Sequence, residues 1–587
     1  MRTTKEDMPS EETTSSPLED ILVERGVAVP MQDGMILRAD VYRPRAPGRY
    51  PVLVERTPYS LGLPARASDG AFFPRHGYVY VAQNVRGRFA SAGTFEPLRD
   101  DGSGPNQDGF DTIEWAAVQP WSNGDVGMYG GSYAGGTAYL AATTRPPHLQ
   151  SVVVRQGLAD AGSPAFYRGG VHQLVIYRDW ILRALLLAEL EHESTPPERL
   201  GDRERIQSAY EKLETWLRHL PLASFPPIEG LADWYFAFLA HPQGSGYWNP
   251  IDVTRQVAEM DVPILHLSGW FDPFLDGALR CFNGIRQHGR STRCRTGQRL
   301  IVGPWIHWAP GIDKRLVGEL DFGPQAEFDL DAERLCWYDH WLKRKDTDAT
   351  DDAPIRIFLM GDNRWLDLEE WPPPGISYRP LYLDAGPGPS GESLNNGGLS
   401  FVAPTEEEPS DRFIYDPANP IPSLLHYPQT GPYDYRSIEG RLLTYTSEVL
   451  ARDLTVIGPV KAILYATSSA PDTDWVVRLC DVYPDGRSMS VCDGILRARY
   501  RDSFERPELM VPGAIYRFEI DLWATAQVFK AGHRLRVQVT SSDFPRYARN
   551  LNTGGVPITE VQGKVATNTI FHEKAHASHV VLPVVSS

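Results

Sequence analysis

The chain has 587 residues, more than a single hydrophobic core usually organises, so we expect two or three domains. Its net charge of −17 opposes binding to phosphate backbones and to anionic membrane surfaces, which excludes nucleic acid and lipid as expected partners. With 42% hydrophobic and 23% charged residues, and no apolar run of membrane-spanning length, the composition is typical of a soluble globular protein.

The cysteines and both ends of the chain argue against secretion and against metal binding. The five cysteines are scattered and lack a Cys-x-x-Cys pair, which favours a reducing compartment and predicts no zinc site. Residues 1–26 are polar, without the apolar segment of a secretion signal, and we expect a disordered leader and a cytoplasmic protein. His572, His576 and His579 have no cysteine or acidic motif nearby, so we expect neither a metal nor another cofactor.

The order of hydrophobic patterns along the chain predicts three parts. Residues 27–159 and 259–345 alternate short apolar strands with helical segments, which indicates a largely parallel sheet covered on both faces. Between them, residues 160–258 have apolar residues at three- and four-residue spacing and predict an inserted helical cap. The charged run 346–354 predicts a linker, and the short strands of 355–587 predict a β-sandwich or jelly roll.

The sequence VGMYGGSYAGG, from Val126 to Gly136, predicts a strand, a tight turn and a helix. Glycines on both sides of Ser132 let the strand and helix approach closely enough to hold the apex residue in an uncommon backbone conformation. A serine at that apex is presented as a nucleophile, and Ala134 is small enough to replace the glycine usual two positions later. Taken alone, the segment is also compatible with a glycine-rich loop that only turns the chain.

Two further residues complete a candidate catalytic triad. A serine hydroxyl needs a base to take its proton, and an imidazole base needs a carboxylate to fix its tautomer. Asp272 follows the predicted strand that ends at Trp270, and His307 follows another predicted strand, both at carboxyl ends. Taken alone, Asp272 could instead be a turn or helix cap, and His307 could instead be a buried structural histidine. Together with Ser132 they have the order Ser, Asp, His of α/β-hydrolases.

The strand ends that carry these residues also carry hydrogen-bond donors for an oxyanion that develops during catalysis. The backbone N–H of Tyr133 directly follows the candidate nucleophile and is the usual first donor. Tyr59 lies in the loop after an earlier predicted strand, where its phenol would be the second donor. The alternative for Tyr59 is an ordinary half-buried aromatic residue.

Several motifs together resemble one family. The segments are RTPY (56–59), VRGRFASAG (85–93), EWAAVQPWSNGDVGMYGGSYAG (114–135), SGWFD (268–272) and GPWIHW (303–308). They resemble the cocaine-esterase-like (CocE/NonD) serine hydrolases, which are related to the X-Pro dipeptidyl-peptidases and the α-amino-acid ester hydrolases. The resemblance extends over nearly the whole chain from about Val27 and implies an α/β-hydrolase domain, a helical cap and a carboxyl-terminal jelly roll.

Transferred motif by motif, the resemblance implies a role for five residues. Ser132 matches the nucleophile, Asp272 and His307 match the rest of the triad, and Tyr59 with the Tyr133 amide matches the oxyanion hole.

The sequence departs from the family pattern at two places. Asn84 replaces the Asp that usually precedes Val-Arg-Gly, so an ion pair from position 84 to Arg86 is not expected. Near the end of the cap, Gly244-Ser245-Gly246 replaces an acidic pair, and the contacts of the cap are expected to differ there.

The residues after Asp272 predict the substrate class. In the α-amino-acid ester hydrolases, carboxylates two and three positions later bind the substrate ammonium, whereas this chain has Phe274 and Leu275. A buried ammonium without a counter-charge costs several kcal/mol, so we expect neutral aromatic or medium acyl esters to be preferred. The cap adds four aromatic candidates, each of which could instead belong to the core of the cap itself: Tyr177, Trp180, Trp234 and Phe238.

Three functions remain as alternatives at this point. The first is a serine esterase or amidase that acts on a small-molecule ester or amide through an acyl-enzyme. The second is an X-Pro dipeptidyl-peptidase or an α-amino-acid ester hydrolase, although the peptidases generally carry an extra amino-terminal domain and about thirty residues precede the first predicted strand here. The third is a non-catalytic binding protein that uses the jelly roll, which the complete triad argues against. Homo-oligomerisation is left open.

Overall fold

A computed structural model of the chain describes residues 20–192, 197–307, 314–349, 352–386, 393–424 and 431–586. Its described part contains a ten-stranded sheet, an eleven-stranded sheet and two short hairpins. No helix in these residues combines the length and the hydropathy needed to cross a bilayer.

The first sheet and the two hairpins are formed by fourteen strands. They are β1 (Ile21–Pro30), β2 (Ile36–Pro44), β3 (Tyr50–Thr57), β4 (Val79–Asn84), β5 (Ser122–Gly131), β6 (Leu149–Arg155), β7 (Tyr167–Arg168), β8 (Val171–His172), β9 (Ile264–Phe271), β10 (Gln298–Ile306), β11 (Leu316–Val317), β12 (Leu320–Asp321), β13 (Ile355–Leu359) and β14 (Arg364–Leu368). The order in the sheet is β1-β2-β4-β3-β5-β6-β9-β10-β13-β14. From β4 to β13 neighbouring strands are parallel, which agrees with the predicted parallel sheet and brings the carboxyl ends of β3, β5, β9 and β10 to one edge.

Twelve α-helices accompany the strands in the described residues. They are α1 (Pro64–Arg75), α2 (Asp108–Ala117), α3 (Tyr133–Thr143), α4 (Leu174–Asp179), α5 (Ala188–Leu190), α6 (Leu200–Glu211), α7 (Leu213–Arg218), α8 (Trp234–Ala240), α9 (Leu275–His288), α10 (Thr292–Thr296), α11 (Leu330–Trp341) and α12 (Arg436–Glu439). The parallel strands are apolar on both faces, because helices cover both. Val52 and Val54 share a core with α2 and α3, whereas Leu53 between them packs in the core that includes α1 and α11.

The predicted helices of residues 160–258 are present between β6 and β9. α4 continues without interruption into a π-helical segment, Trp180–Leu187, and then into α5. Short 3-10 helices at Gly246–Ile251, Val253–Arg255 and Val257–Glu259 lead back to the sheet. π-Helical turns are rare and frequently occur at functional sites, and this one begins at Trp180.

The carboxyl-terminal part is mostly strands around one hydrophobic core. They are β15 (Ile376–Asp384), β16 (Gly397–Ser400), β17 (Asp411–Tyr415), β18 (Leu443–Ser447), β19 (Leu454–Ser468), β20 (Asp474–Val482), β21 (Ser488–Arg497), β22 (Tyr516–Phe529), β23 (Arg534–Thr540), β24 (Ala566–Phe571) and β25 (His579–Val585). Their order is β17-β24-β19-β25-β15-β16-β18-β23-β20-β21, and β22 pairs with β19. All of these pairs are antiparallel except β16 with β18.

Two predicted boundaries were wrong. The predicted leader extended to residue 26, but β1 already begins at Ile21 and pairs with β2; residues 1–19 lie outside the described part. The predicted β-sandwich began at residue 355, but β13 pairs with β10 and β14 with β13, so both strands extend the first sheet. The predicted linker, 346–354, lies partly outside the described residues, and its Ala349 is buried against that sheet and accepts a hydrogen bond from Arg299.

Candidate active site

Ser132 lies at the turn between β5 and α3. Its backbone has φ 57° and ψ −120°, an uncommon conformation that the surrounding chain must hold in place. A Cβ atom at Gly130 would lie 2.0 Å from the carbonyl oxygen of Ala134, so only glycine allows this approach of strand and helix. The amide of Ser132 donates to the carbonyl of Arg155 at the end of β6, which fixes the turn to the neighbouring strand.

His307 lies between Ser132 and Asp272. Its Nε2 is 2.9 Å from the Ser132 Oγ, and its Nδ1 is 3.3 and 3.2 Å from the two carboxylate oxygens of Asp272. Asp272 is fully buried and accepts a hydrogen bond of 2.7 Å from the amide of Phe274. A carboxylate at Nδ1 keeps the proton on that nitrogen, so Nε2 is free to accept the serine proton. The three residues that the sequence order predicted are therefore in hydrogen-bond contact.

Gln156, which the sequence analysis missed, joins the strand ends that hold the acid and the base. Its backbone amide donates to Leu267 in β9 at 2.6 Å. Its side-chain amide donates to the carbonyl of Ile306, directly before His307, also at 2.6 Å. Gln156 has a φ of 51°, which is uncommon for a residue with a side chain. A single glutamine in a loop carries no sequence signal for this role.

Tyr59 and Tyr133 line the same cavity as Ser132, and the Tyr59 phenol hydrogen-bonds with the Ser132 side chain. Burial raises the pKa of the Tyr59 phenol, an effect reduced by its hydrogen bonds with Trp180 and Ser132 and by the charge of Arg66. The phenol is therefore protonated at neutral pH and retains a proton to donate. The amide of Tyr133 is the first of α3 and has no acceptor within the helix. Both donors are available to an oxyanion on an acyl group attached to Ser132.

Asn84 supports the Tyr59 loop in a way that an aspartate could not. Its side-chain amide donates to the backbone carbonyl of Tyr59 at 2.8 Å, and a carboxylate has no such proton. Arg86 pairs with Asp108 at 2.6 Å and with Asp33 at 2.7 Å. The residue that departs from the family pattern therefore holds the backbone of the loop that carries Tyr59, and Arg86 has other acidic partners.

A largely apolar cavity opens at Ser132. It is lined by Tyr59, Ser132, Tyr133, Leu158, Ile176, Tyr177, Trp180, Pro273, Phe274 and His307. The candidate substrate residues Phe274, Trp180 and Tyr177 are thus in the same cavity as the candidate nucleophile. Leu158, Ile176 and Pro273 were missed, because aliphatic residues and prolines carry no chemical signal in a sequence.

The other aromatic candidates of the insertion lie in its core. Trp234 and Phe238 are 8% and 2% exposed, and neither belongs to the described residues that line the cavity. Trp234 packs edge-on against Trp180 with the ring centres 5.8 Å apart, and so contacts the cavity wall from behind. Leu275 is fully buried among apolar neighbours, so of the two positions that follow the acid by two and three residues only Phe274 faces the cavity.

The sequence matches two family descriptions that together span most of the chain. Residues 33–309 match the X-Pro dipeptidyl-peptidase (S15 family), and residues 347–581 match the X-Pro dipeptidyl-peptidase C-terminal non-catalytic domain. A cocaine esterase from Rhodococcus sp. (strain MB1 Bresler) is 36% identical, over 96% of this chain and 98% of that protein. The chain belongs to the cocaine-esterase-like serine hydrolases of the S15 family.

Solved structures of the family agree with this assignment over the whole chain. An α-amino-acid ester hydrolase superposes with a TM-score of 0.81 at 26% identity and covers 99% of this chain and 100% of its own. An aminopeptidase from a marine sediment archaeon, Thaumarchaeota archaeon, gives a TM-score of 0.80 at 24% identity, with 99% of both chains covered. The S15 catalytic domain and the mostly β-stranded C-terminal domain of this hydrolase therefore have the family fold.

The histidine-rich segment near the end of this hydrolase contacts protein groups. His572 Nε2 lies 3.1 Å from a carboxylate oxygen of Asp411, and His576 Nδ1 lies 2.5 Å from Glu573. His579 Nδ1 faces a backbone carbonyl at 2.7 Å. Among the described residues no three potential ligands are grouped to hold a metal ion.

Proposed function

We propose that this serine hydrolase cleaves carboxylic esters through an acyl-enzyme on Ser132. The observation that carries the proposal is the position of His307, whose Nε2 is 2.9 Å from the Ser132 Oγ while its Nδ1 faces the buried Asp272. His307 takes the serine proton as the oxygen attacks the ester carbonyl, and returns it to the departing alcohol. Water then attacks the acyl-enzyme with the same histidine as base.

In this mechanism Tyr59 and Tyr133 stabilise the oxyanion. The charge that develops on the carbonyl oxygen is met by the phenol proton of Tyr59 and the backbone N–H of Tyr133. Both donors are held before the substrate arrives, the first by Asn84 and Trp180 and the second by α3. Donors that need no reorganisation lower the barrier more than donors that must first be positioned.

We assign neutral aromatic or medium-sized acyl groups to the cavity. Phe274, Trp180 and Tyr177 offer aromatic surface, and none of the described lining residues is an acid. Transfer of an apolar acyl group onto this surface is favourable by roughly 25 cal/mol per Å² of apolar area buried. An ammonium group on the acyl portion would find no counter-charge in this lining.

The two domains beside the sheet have separate proposed roles. Residues 160–258 act as a cap, because Ile176, Tyr177 and Trp180 of α4 and its π-helical continuation form one side of the cavity. The carboxyl-terminal strands form a jelly roll that supports the cap, since the amide of Leu174 donates to the carbonyl of Arg546 at 2.9 Å. All five cysteines are free, which supports a reducing compartment such as the cytoplasm.

Labelling with a fluorophosphonate tests the nucleophile directly. The reagent should modify Ser132 in the native enzyme, and digestion followed by mass spectrometry should find the adduct on the peptide that contains it. Labelling should fall sharply in His307→Ala, which removes the base, and should stay unchanged in Ser103→Ala, which alters an exposed serine. An adduct on another serine would refute the proposed mechanism.

A further inference from the structure

A second cavity adjoins the one at Ser132. The two share Ile176 and Pro273 as walls and are similar in size, about 40 Å³ at Ser132 and about 50 Å³ beyond the shared walls. The far wall of the second cavity comes from the carboxyl-terminal domain and includes Arg478 and Arg546, and we call it the arginine pocket. The second cavity is thus separated from the one at Ser132 only by the walls that the two share.

Buried arginines and carboxylates lie together around the arginine pocket. Arg478, Arg546 and the adjacent Arg168 are 2%, 8% and 4% exposed. They share two carboxylates: Arg546 and Arg168 contact Asp493, and Arg478 and Arg546 lie 3.5 and 3.6 Å from Asp543. Asp276 also interacts electrostatically with Arg168, so these three guanidinium groups are accompanied by three carboxylates. The lining of the pocket itself has two arginines and one carboxylate, Asp493.

Asp493 keeps its negative charge in this cluster. Burial alone would raise its pKa, but the charges of Arg546, Arg168 and Arg478 hold the pKa of its carboxyl well below the ordinary value. A proton on Asp493 is therefore not available to change the charge balance near neutral pH.

The two arginines that line the pocket have hydrogen-bond donors to spare. Arg478 donates through Nη1 to Gln538 at 2.8 Å, and its guanidinium lies 3.6 Å from the centre of the Tyr435 ring. Arg546 donates through Nη1 to Asp493. The Nη2 of Arg478 lies 3.5 Å from Asp543, whereas within the described part of the chain its Nε, and the Nε and Nη2 of Arg546, have no acceptor at hydrogen-bond distance. A planar guanidinium group with unused N–H donors in a cavity has the geometry to bind a planar carboxylate.

We propose that the arginine pocket binds a carboxylate group of the substrate while the ester lies at Ser132. The proposal rests on the proposed ester hydrolysis and extends it. The group that lies in the cavity at Ser132 is neutral, as assigned above, and an acid group farther along the acyl or the alcohol portion enters the arginine pocket. The connecting carbons of such a substrate pass Ile176 and Pro273 and contact Trp523. A carboxylate in the pocket would accept hydrogen bonds from the two guanidinium groups of the lining, which contains only one carboxylate of its own, Asp493.

The test compares each acid with its uncharged carboxamide of the same shape. One arm places the group on the acyl portion, with p-nitrophenyl glutarate half-ester against the corresponding glutaramate. The other arm places it on the alcohol, with the phenylacetyl ester of 4-hydroxybutyrate against that of 4-hydroxybutyramide. We expect at least one acid to be cleaved with a kcat/KM about tenfold or more above that of its carboxamide. The arm that shows the preference identifies which portion enters the pocket.

Substitution of the two arginines tests whether the preference for the acid arises in the arginine pocket. Arg546→Gln and Arg478→Gln should each remove most of the preference for the acid, and should change kcat/KM for neutral p-nitrophenyl phenylacetate less than twofold. The control is Arg517→Gln, which removes a positive charge from an exposed side chain of the same domain and should keep the preference.

Two results would overturn the inference. One is equal cleavage of acid and carboxamide in both arms by the unmodified enzyme, a comparison that stands even if a buried arginine variant does not fold. The other is a preference that persists in both arginine variants. Failure of the proposed ester hydrolysis can be told apart from failure of this inference. In the first case neutral p-nitrophenyl phenylacetate would not be cleaved at Ser132 either.

Discussion

The indole N–H of Trp180 donates a hydrogen bond to the phenol oxygen of Tyr59, and the two atoms are 2.9 Å apart. Tyr59 follows β3 of the sheet, whereas Trp180 opens the π-helical segment of the insertion. Because the indole occupies one lone pair of the phenol oxygen, the phenol proton is left to point to another acceptor. Trp180 also stacks on Tyr133, with ring centres 6.2 Å apart. The insertion therefore orients the phenol that we propose as the oxyanion donor, and it also forms one side of the cavity.

The first prediction concerns the indole N–H itself. Trp180→Phe keeps an aromatic ring and removes the donor, and we expect kcat to fall by about tenfold, the equivalent of one hydrogen bond of about 1.4 kcal/mol. KM for p-nitrophenyl phenylacetate should change less, because the ring still lines the cavity. Trp234→Phe is the matched control, since that residue lies behind Trp180 and does not reach Tyr59. Equal losses in the two variants would indicate a packing effect only.

The second prediction concerns the phenol of Tyr59. Tyr59→Phe should lower kcat by roughly 10²–10³, the usual cost of removing one oxyanion donor, with little change in KM. The double variant with Trp180→Phe should be scarcely slower than Tyr59→Phe alone, because the indole acts through a hydroxyl that is no longer there. Steady-state kinetics on the three variants gives this coupling. Additive losses would show that Trp180 acts independently of Tyr59.

The third prediction concerns the nucleophile. Ser132→Ala should lower kcat by about 10⁶, the loss seen when a member of a cooperating triad is removed. The far-ultraviolet circular dichroism spectrum and the melting temperature should stay close to those of the parent, since the change removes one oxygen atom. Asp272→Asn should leave the geometry similar but lower kcat by about 10⁴, because an amide favours the wrong tautomer of His307. Substantial turnover by Ser132→Ala would contradict the assignment.

The sequence was sufficient to predict that Ser132, Asp272 and His307 lie together, because each follows an apolar strand with a local signal. Ser132 has its glycines, and Asp272 and His307 follow β9 and β10, so the parallel sheet necessarily brings the three to one edge. The contact between Trp180 and Tyr59 could not be predicted, because the way in which the insertion packs on the sheet depends on contacts distant in sequence. The same applies to the amide of Asn84, which could be identified only as a departure from the family pattern.

Some strands of the structure carry little strand signal in the local sequence, or none that identifies their partner. β21 carries Asp493 and Gly494 in its centre, and β16 begins with two glycines, so neither shows the usual strand composition. β13 has a strand-like sequence, but nothing local states that Ile355 pairs with Leu300 of the first sheet. The local sequence pattern therefore predicts that a strand forms, whereas the tertiary fold decides which strand it pairs with.

The fourth prediction concerns stability in acid. Burial lowers the pKa of His172 to about 3, and its ring is held between the Phe166 carbonyl and the Tyr235 hydroxyl at 3.2 and 3.1 Å. An unfolded histidine titrates near pH 6.5, so the unfolded chain takes up this proton first and stability falls as the pH drops from about 6.5 towards 3. Melting temperatures between pH 7 and pH 4.5 should fall less steeply for His172→Gln than for the parent. If the melting temperatures of the two proteins fell equally with pH, His172 would not contribute to the loss of stability in acid.

The fifth prediction concerns the charge of the acyl group. Phe274 and Leu275 occupy the positions at which the α-amino-acid ester hydrolases carry carboxylates, and Phe274 lies edge-on to the His307 ring, with ring centres 4.7 Å apart. An ammonium next to the ester would lie against this aromatic ring and lose its hydration without gaining a counter-ion.

Methyl phenylacetate and phenylglycine methyl ester differ mainly by that ammonium, and their comparison tests the point. We expect kcat/KM to be at least about tenfold higher for the phenylacetate, since leaving one charge unpaired in a buried site costs more than 1.4 kcal/mol. Phe274→Asp, which restores a carboxylate, should narrow the difference, whereas Phe274→Leu should preserve it. Raising the pH above the pKa of the amine should also narrow the difference for the parent enzyme, because the substrate is then neutral. If the phenylglycine ester were cleaved faster at neutral pH, the cavity would have to contain an acidic group near the acyl portion, and the preference for neutral acyl groups would be wrong.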